Sequence, residues 1–239
     1  EKPEQMWQFA ESTKGVADAC KGIHLKHDPD HSVPIIAGNV SFYNESAVGA
    51  IPPSPIVSCL GRLSDVDKTI TMGFKKKGSV IILIGERKNE LGGSLYYSLF
   101  NFLGKNLPKP NLKGVESEIW ALTDLIDYQL ILSAHDISDG GVAVALSEMS
   151  FQNEIGFEVN VESSLRADVW LFSETGGFVI EVEKENLQAI TATLTSYEIH
   201  YEEIGKTTDH QAMVFGKEIH MPISKAKDGW EKSLRNQIK

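Results

Sequence analysis

At 239 residues, with 23 Lys and Arg against 33 Asp and Glu, the chain carries a formal net charge of −10 at pH 7. Such a chain lacks the positive field that displaces counterions from nucleic acid, and it holds no basic amphipathic stretch suited to an anionic membrane surface. Hydrophobic residues at 41% and charged residues at 23% permit a sizeable core and exclude a disordered composition.

The charge is uneven. Residues 1–77 hold nine basic and nine acidic side chains, so residues 78–239, with 14 basic and 24 acidic, carry the whole excess. Lys75-Lys76-Lys77-Gly78 marks the expected boundary between a domain at 1–77 and a domain at 78–239. Cys20 and Cys59 are the only cysteines and make no C-x-x-C pair, which disfavours a disulfide scaffold or a structural zinc site and makes cytoplasm the expected compartment. The longest apolar run, Val80–Ile84, is far too short to span a bilayer. The first residue is Glu1 and a helix-start pattern follows at once, so the chain is expected to be part of a longer protein.

Pro3 suits a first helical turn. Met6, Phe9, Thr13, Val16, Cys20 and Ile23 then recur every three or four residues, predicting a helix with one buried face that ends near Gly22. A polar stretch at 24–32 leads into Val33-Pro34-Ile35-Ile36-Ala37, a strand-type run that stops at Gly38-Asn39. Residues 43–55 read as a long loop, and residues 56–60 and Val80–Ile84 as buried strands. Helices are expected near 93–103 and 115–128, a strand at 130–134, a helix from Val142, and strands near 157–161, 169–172 and 178–182. A helix at 184–194, strands near 199–204 and 212–215, and a terminal helix from Ser224 complete a mixed α+β pattern without internal repeats.

Three polar, glycine-bearing segments carry possible chemistry. In Gly38-Asn39-Val40-Ser41, the glycine lets a phosphate approach the backbone, Asn39 offers a neutral oxygen to a hard cation such as Mg²⁺, and Ser41 adds a hydroxyl donor. A turn whose Asn and Ser only satisfy backbone groups is the alternative. In Ala134-His135-Asp136-Ile137-Ser138-Asp139-Gly140-Gly141, Ser138 or Asp139 suits a helix cap. Two acids at a helix start repel a bare phosphate, so a nucleotide there would arrive with Mg²⁺, and Asp136 is the better placed ligand. Leu171-Phe172-Ser173-Glu174-Thr175-Gly176-Gly177-Phe178 reads from its pattern as two strands joined by a hairpin turn. Capping accounts for the loop at 86–94, and His24, His27 and His31 with Asp28 and Asp30 read as a solvated insertion rather than a metal site. Neither cysteine has a nucleophile signature, so glutaminase or thiol-protease chemistry is not expected of this chain.

Taken in order, Glu1-Lys2-Pro3-Glu4 with Trp7-Gln8, Gly38-Asn39-Val40-Ser41 with Tyr43-Asn44-Glu45, Glu90-Leu91-Gly92-Gly93-Ser94, the 134–141 segment and Leu171-Phe172-Ser173-Glu174 cover most of the chain. The ordered set resembles phosphoribosylformylglycinamidine synthase, the synthetase subunit of purine biosynthesis, in its second half. The resemblance implies a partial α+β domain like the N-terminal domain of aminoimidazole ribonucleotide (AIR) synthetase, truncated at its start, followed by an α+β domain like the C-terminal one. It implies an ATP-dependent ligase: ATP phosphorylates the amide oxygen of formylglycinamide ribonucleotide, and ammonia from a separate glutaminase subunit or domain displaces phosphate. By the same resemblance Gly38 is an ATP contact, Asn39 a Mg²⁺ ligand and Ser41 a substrate contact. Through the family's internal repeat, Asp136 corresponds to a metal residue and Ser173 and Glu174 to substrate residues of the first half, or to an auxiliary nucleotide site.

The chain departs from the family in four places. An Asp-Asn-Leu-Asn-Phe-Gly segment expected just before Glu1 is absent, as are the catalytic His and main Mg²⁺ carboxylates of the first half. Thr175-Gly176-Gly177 replaces a longer turn, and 24–32 contains an insertion. No catalytic residue is assigned to this chain, which is expected to be inactive without the missing N-terminal half. A structural and assembly module of the same enzyme, or another ATP-using AIR synthetase-like enzyme, is the alternative.

Overall fold

The computed structural model of the chain describes residues 2–40, 45–51, 54–63, 65–160 and 163–238. They fall into two compact units, 1–64 and 65–239.

In the first unit, α1 (Pro3–Gly22) begins with Pro3 in its first turn and ends where Ile23 becomes extended. Its expected buried face is not covered, since no residue of α1 is fully buried. The polar stretch forms a small antiparallel pair, β1 (His24–Leu25) with β2 (Asp28–Ser32), and His31 Nδ1 lies 2.7 Å from Asp28 Oδ1. A second pair, β3 (Glu45–Ser46) with β4 (Gly49–Ala50), lies inside the expected loop.

The strands expected at 33–37 and 56–60 do not form, and Ile36 and Ile56 stand exposed. An extended segment becomes a strand only when a neighbouring backbone takes up its N–H and C=O groups. Val33 N still donates to the Ile23 carbonyl at 3.1 Å, continuing the β1–β2 pair, but among the described residues no strand pairs with 34–37 or 56–60.

The second unit begins before the charge boundary. Phe74, ahead of Lys75, is fully buried, packs edge-on to Phe157 and donates its N–H to the Met149 carbonyl. Its elements follow in chain order as β5 (Val80–Ile84), α2 (Leu95–Ser98), α3 (Leu112–Asp127), β6 (Ile131–Asp136), α4 (Gly141–Phe151) and β7 (Gly156–Val159). Then come α5 (Ala167–Phe172), β8 (Phe178–Val182), α6 (Leu187–Ser196), β9 (Tyr201–Thr208), β10 (Ala212–Phe215), β11 (Ile219–Pro222) and α7 (Ile223–Gln237). Seven strands make one sheet in the order β11-β10-β7-β9-β5-β8-β6. Only β7 and β10 run parallel; the other neighbours are antiparallel.

The run Val80–Ile84 is apolar at every position because β5 lies in the middle of this sheet and is covered on both faces. Alternation sends Ile81 and Leu83 into the core built by α4, α5 and α7, and Val80, Ile82 and Ile84 into the core built by α3 and α6. Each such side chain contributes about 1.5–3 kcal/mol when fully buried. The same alternation sends Glu181 of β8 inward with Val179, and it too is fully exclusive of solvent. Its carboxylate accepts from Lys75 N at 2.7 Å, Lys76 N at 2.9 Å, Ser79 Oγ at 2.7 Å and Ser133 Oγ at 2.9 Å. Those four bonds tie the approach to β5 onto β8 and β6.

Two further expectations are corrected. Residues 169–172 are helical, within α5, because Val169, Trp170 and Leu171 are all buried and a short all-apolar run has no period to separate helix from strand. The helix expected at 93–103 is reduced to α2, since Asn101 and Gly104 take positive φ and turn the chain back. Strand β11 was not expected from the sequence.

Candidate functional site

Gly38 and Asn39 lie in an irregular, exposed stretch of the first unit, and Ser41 lies outside the described residues. A Cβ built on Gly38 meets nothing within 4 Å, so the described fold does not itself demand glycine there.

In the second unit the other three motifs meet at one end of the sheet. The 86–94 loop leaves β5, the 137–140 turn leaves β6, and the 173–177 turn enters β8. Glu174 joins them: its Oε1 accepts from Gly140 N at the start of α4 and from Leu95 N at the start of α2, each at 2.9 Å. A carboxylate suits a helix start, where unpaired N–H groups and the helix dipole favour negative charge. Here the chain's own side chain fills that position. Ser173 is fully buried, and its Oγ donates to the Glu90 carbonyl at 3.3 Å and lies 2.8 Å from Thr175 Oγ1. Thr175 Oγ1 in turn donates to Glu90 Oε2 at 2.8 Å. Ser94 Oγ accepts from Tyr97 N at 3.2 Å, the capping role expected of that loop.

The turn at 175–177 therefore follows a helix and is held from three sides; it is not the link of a hairpin. The close approach requires glycine at 141. Gly141 has φ +70°, and a Cβ there would sit 2.7 Å from the Leu171 carbonyl oxygen and 2.8 Å from that of Ser173. Gly141→Ala is expected to cost about 2–4 kcal/mol, from the left-handed backbone and the collision together. A urea unfolding midpoint equal to that of the unsubstituted chain would contradict this.

Arg87 and Glu118 escaped the sequence reading, since a lone Arg in a charged loop and a lone Glu in a helix give no pattern. Arg87 is only 8% exposed and donates through Nη2 to the Thr175 carbonyl, while Nε and Nη1 have no acceptor among the described residues. Burial pushes its guanidinium down to about 10, opposed by the nearby Glu118 and Glu90 carboxylates. Burial likewise raises the Glu118 carboxyl, opposed by Arg87 and Lys88. Each charge thus favours the ionised form of the other against the burial that opposes both.

Asp136, at the end of β6, is exposed, and its Oδ1 lies 3.2 Å from His135 Nδ1. The other ring nitrogen, His135 Nε2, faces Glu148 Oε2 at 3.0 Å, and Glu148 Oε1 accepts from Trp230 Nε1 at 3.0 Å. No group of three or more His, Cys, Asp or Glu residues forms a metal-type cluster among the described residues. Mg²⁺ is usually held by one or two protein oxygens with phosphates and water completing the octahedron.

If the Glu174 carboxylate holds the two helix starts together, Glu174→Ala should speed hydrogen exchange of the Leu95 and Gly140 amides about 10- to 100-fold, the size of a lost charge-assisted hydrogen bond. Exchange at the unsubstituted rate would show that the two helix starts are held by other means.

Residues 76–217 match the family model described as AIR synthase related protein, C-terminal domain. Along its whole length the chain is 38% identical to the phosphoribosylformylglycinamidine synthase subunit PurL of Methanothrix thermoacetophila, covering 32% of that protein. It is 38% identical to the PurL subunit of Alkaliphilus metalliredigens over 94% of this chain and 29% of that one. The chain thus spans about a third of the length of the curated relatives it matches. A solved structure described as T. maritima PurL complexed with FGAR matches 68% of this chain and 30% of its own, with TM-score 0.61 at 14% identity, a likeness of fold. Among the described residues no helix is long and apolar enough to cross a membrane.

Proposed function

The chain belongs to the AIR synthase related family, and from that membership we propose that it is the C-terminal part of a phosphoribosylformylglycinamidine synthase. The observation that carries the proposal is the 38% identity to PurL along the entire chain. In this reading the assembled enzyme is a cytoplasmic C–N ligase. ATP transfers its γ-phosphoryl group to the amide oxygen of formylglycinamide ribonucleotide, and ammonia then attacks the activated carbon. Phosphate leaves with that oxygen, giving formylglycinamidine ribonucleotide, ADP and phosphate. Ammonia is supplied by a glutaminase subunit or domain.

Gly38 is proposed as the place where ATP phosphates approach the backbone, which a residue without a side chain permits. Asn39 would hold Mg²⁺ through its side-chain oxygen, with Ser41 on the substrate. Mg²⁺, when bound, neutralises phosphate charge and lets nucleotide approach an acidic chain. Asp136, exposed at the end of β6, is proposed as a ligand at an auxiliary nucleotide site. Ser173 and Glu174 stay in this reading as candidate substrate residues: Glu174 Oε1 is engaged by the Leu95 and Gly140 N–H groups, which leaves its other carboxylate oxygen for a ligand.

Assay of the purified chain with formylglycinamide ribonucleotide, ATP and ammonia is expected to give no product. Product formed by the chain alone would overturn the division of labour. The internal engagement of Ser173 and Glu174 favours a second reading, an assembly half without chemistry of its own. Unchanged kinetics after substitution of both Asn39 and Ser41 in the complete enzyme would select it.

A further inference from the structure

The excursion between β5 and α3 is closed at its base and apolar at its tip. Gly92 N donates to the Asn106 carbonyl at 2.8 Å and Gly93 N to the Leu103 carbonyl at 2.7 Å, so the chain leaves and returns at one place. Rings set its shape: Tyr96 stacks on Phe172 at 4.5 Å with planes 1° apart, and Tyr97 meets Phe102 edge-on at 4.9 Å. Yet Leu95, Leu99, Phe100, Phe102, Leu103 and Leu107 are all exposed, Leu99 at 77% and Leu103 at 76%. Single exposed apolar residues are ordinary, but six within thirteen residues on a braced loop mark an interaction surface.

Charge narrows what fits it. From Leu91 to Val115 there is no Asp or Glu, and Lys105, Lys109 and Lys113 are exposed. Outside the loop, the remainder of residues 65–239 holds 15 basic against 26 acidic side chains, so the loop is a positive, apolar island on an acidic unit. Two copies meeting through this loop would bring six lysines together, which disfavours self-pairing. A partner with an apolar centre and an acidic rim is complementary.

We propose that residues 95–113 are a docking surface for an acidic-rimmed apolar face on the polypeptide that the curated relatives carry outside the third matched by this chain. The identity of the occupant rests on the proposed function, whereas the exposure and charge belong to the chain itself. Docking would cover the loop beside the Glu174 turn, because Leu95 N donates to Glu174 and Tyr96 stacks on Phe172 just ahead of that turn.

The test places photoreactive p-benzoylphenylalanine at position 99 of the chain expressed in its source cells, with cross-linked peptides sequenced by mass spectrometry. The expected cross-links fall in acidic segments of an AIR synthase related polypeptide outside this sequence, and their yield drops about tenfold or more in K105E/K109E/K113E, as for an electrostatically steered contact. Should that variant fail to fold by circular dichroism, raising the salt on the unsubstituted chain reads the same dependence, and the yield should fall. Cross-links into residues 33–63 of this chain, into a second copy or into an unrelated protein would overturn the proposal, as would their absence or insensitivity to charge. An assembled protein that shows the cross-link but no turnover would remove the function and keep the surface; turnover without the cross-link would do the reverse.

Discussion

Replacing Glu181 with alanine is expected to lower the stability of the second unit by about 3–5 kcal/mol, among the largest effects of a single substitution. The carboxylate is fully buried and serves four donors, two backbone N–H groups and two hydroxyls. Each buried donor left without an acceptor costs about 1–3 kcal/mol, and the hydroxyls of Ser79 and Ser133 recover part of that by turning to other acceptors. Ser79 already has the Lys76 carbonyl at 3.0 Å within reach. The backbone N–H groups of Lys75 and Lys76 cannot turn, so they dominate the loss. At about 2–4 °C per kcal/mol for a unit of this size, the melting temperature should fall by about 6–20 °C. Buried Trp170 offers a fluorescence readout within the same core. Ser133→Ala alone should cost about 1 kcal/mol, and the double substitution with Glu181→Ala should be less than additive because both remove one bond. A loss below about 1 kcal/mol for Glu181→Ala would mean the segment at 75–79 is held by something other than this carboxylate.

In the complete synthetase, Asn39→Ala is expected to lower turnover about 100-fold or more, the scale of losing one positioned oxygen at a charged reacting centre. If Asn39 is a Mg²⁺ ligand as proposed, the loss should deepen as Mg²⁺ is reduced and ease as Mg²⁺ is raised, because losing one ligand would weaken the metal without removing the phosphates that also hold it. A loss confined to KM would instead assign Asn39 to uniform substrate binding. Normal Mg²⁺-ATP dependence would remove the metal role and favour the assembly reading. Gly38→Ala separates backbone approach from side-chain chemistry. A Cβ there meets no atom of this chain within 4 Å, so a loss of activity with the fold intact would point to a close approach from outside the chain, as the proposed phosphate contact requires.

Much of the second unit was legible because its elements are long or periodic. The fully apolar Val80–Ile84 announced a buried strand, and the helices expected at 115–128 and 184–194 correspond to α3 and α6, which cover one face of it. The family was legible too, since five short motifs in fixed order constrain identity more than any one of them, and the family model and the PurL relatives agree with it. Helix α5 was missed because four consecutive apolar residues fit a strand and a buried helical turn equally well, and only the neighbouring α4 decides between them.

Composition, periodicity and motif order by themselves determined that the chain is an acidic α+β protein of this family, with its glycine-bearing turns at element ends. Those properties depend on residues near one another in sequence, or on residue types alone. Tertiary structure decided that Glu174 spans two helix starts, that Glu181 serves four donors, and that Arg87 lies among Thr175, Glu90 and Glu118. Each of these joins residues tens of positions apart, and whether a carboxylate becomes a ligand, a cap or a strut depends on which donors the fold brings within about 3 Å. The same dependence explains why 33–37 and 56–60, apolar enough for strands, are not strands: a ladder belongs to two segments, and its second member is not supplied by sequence pattern.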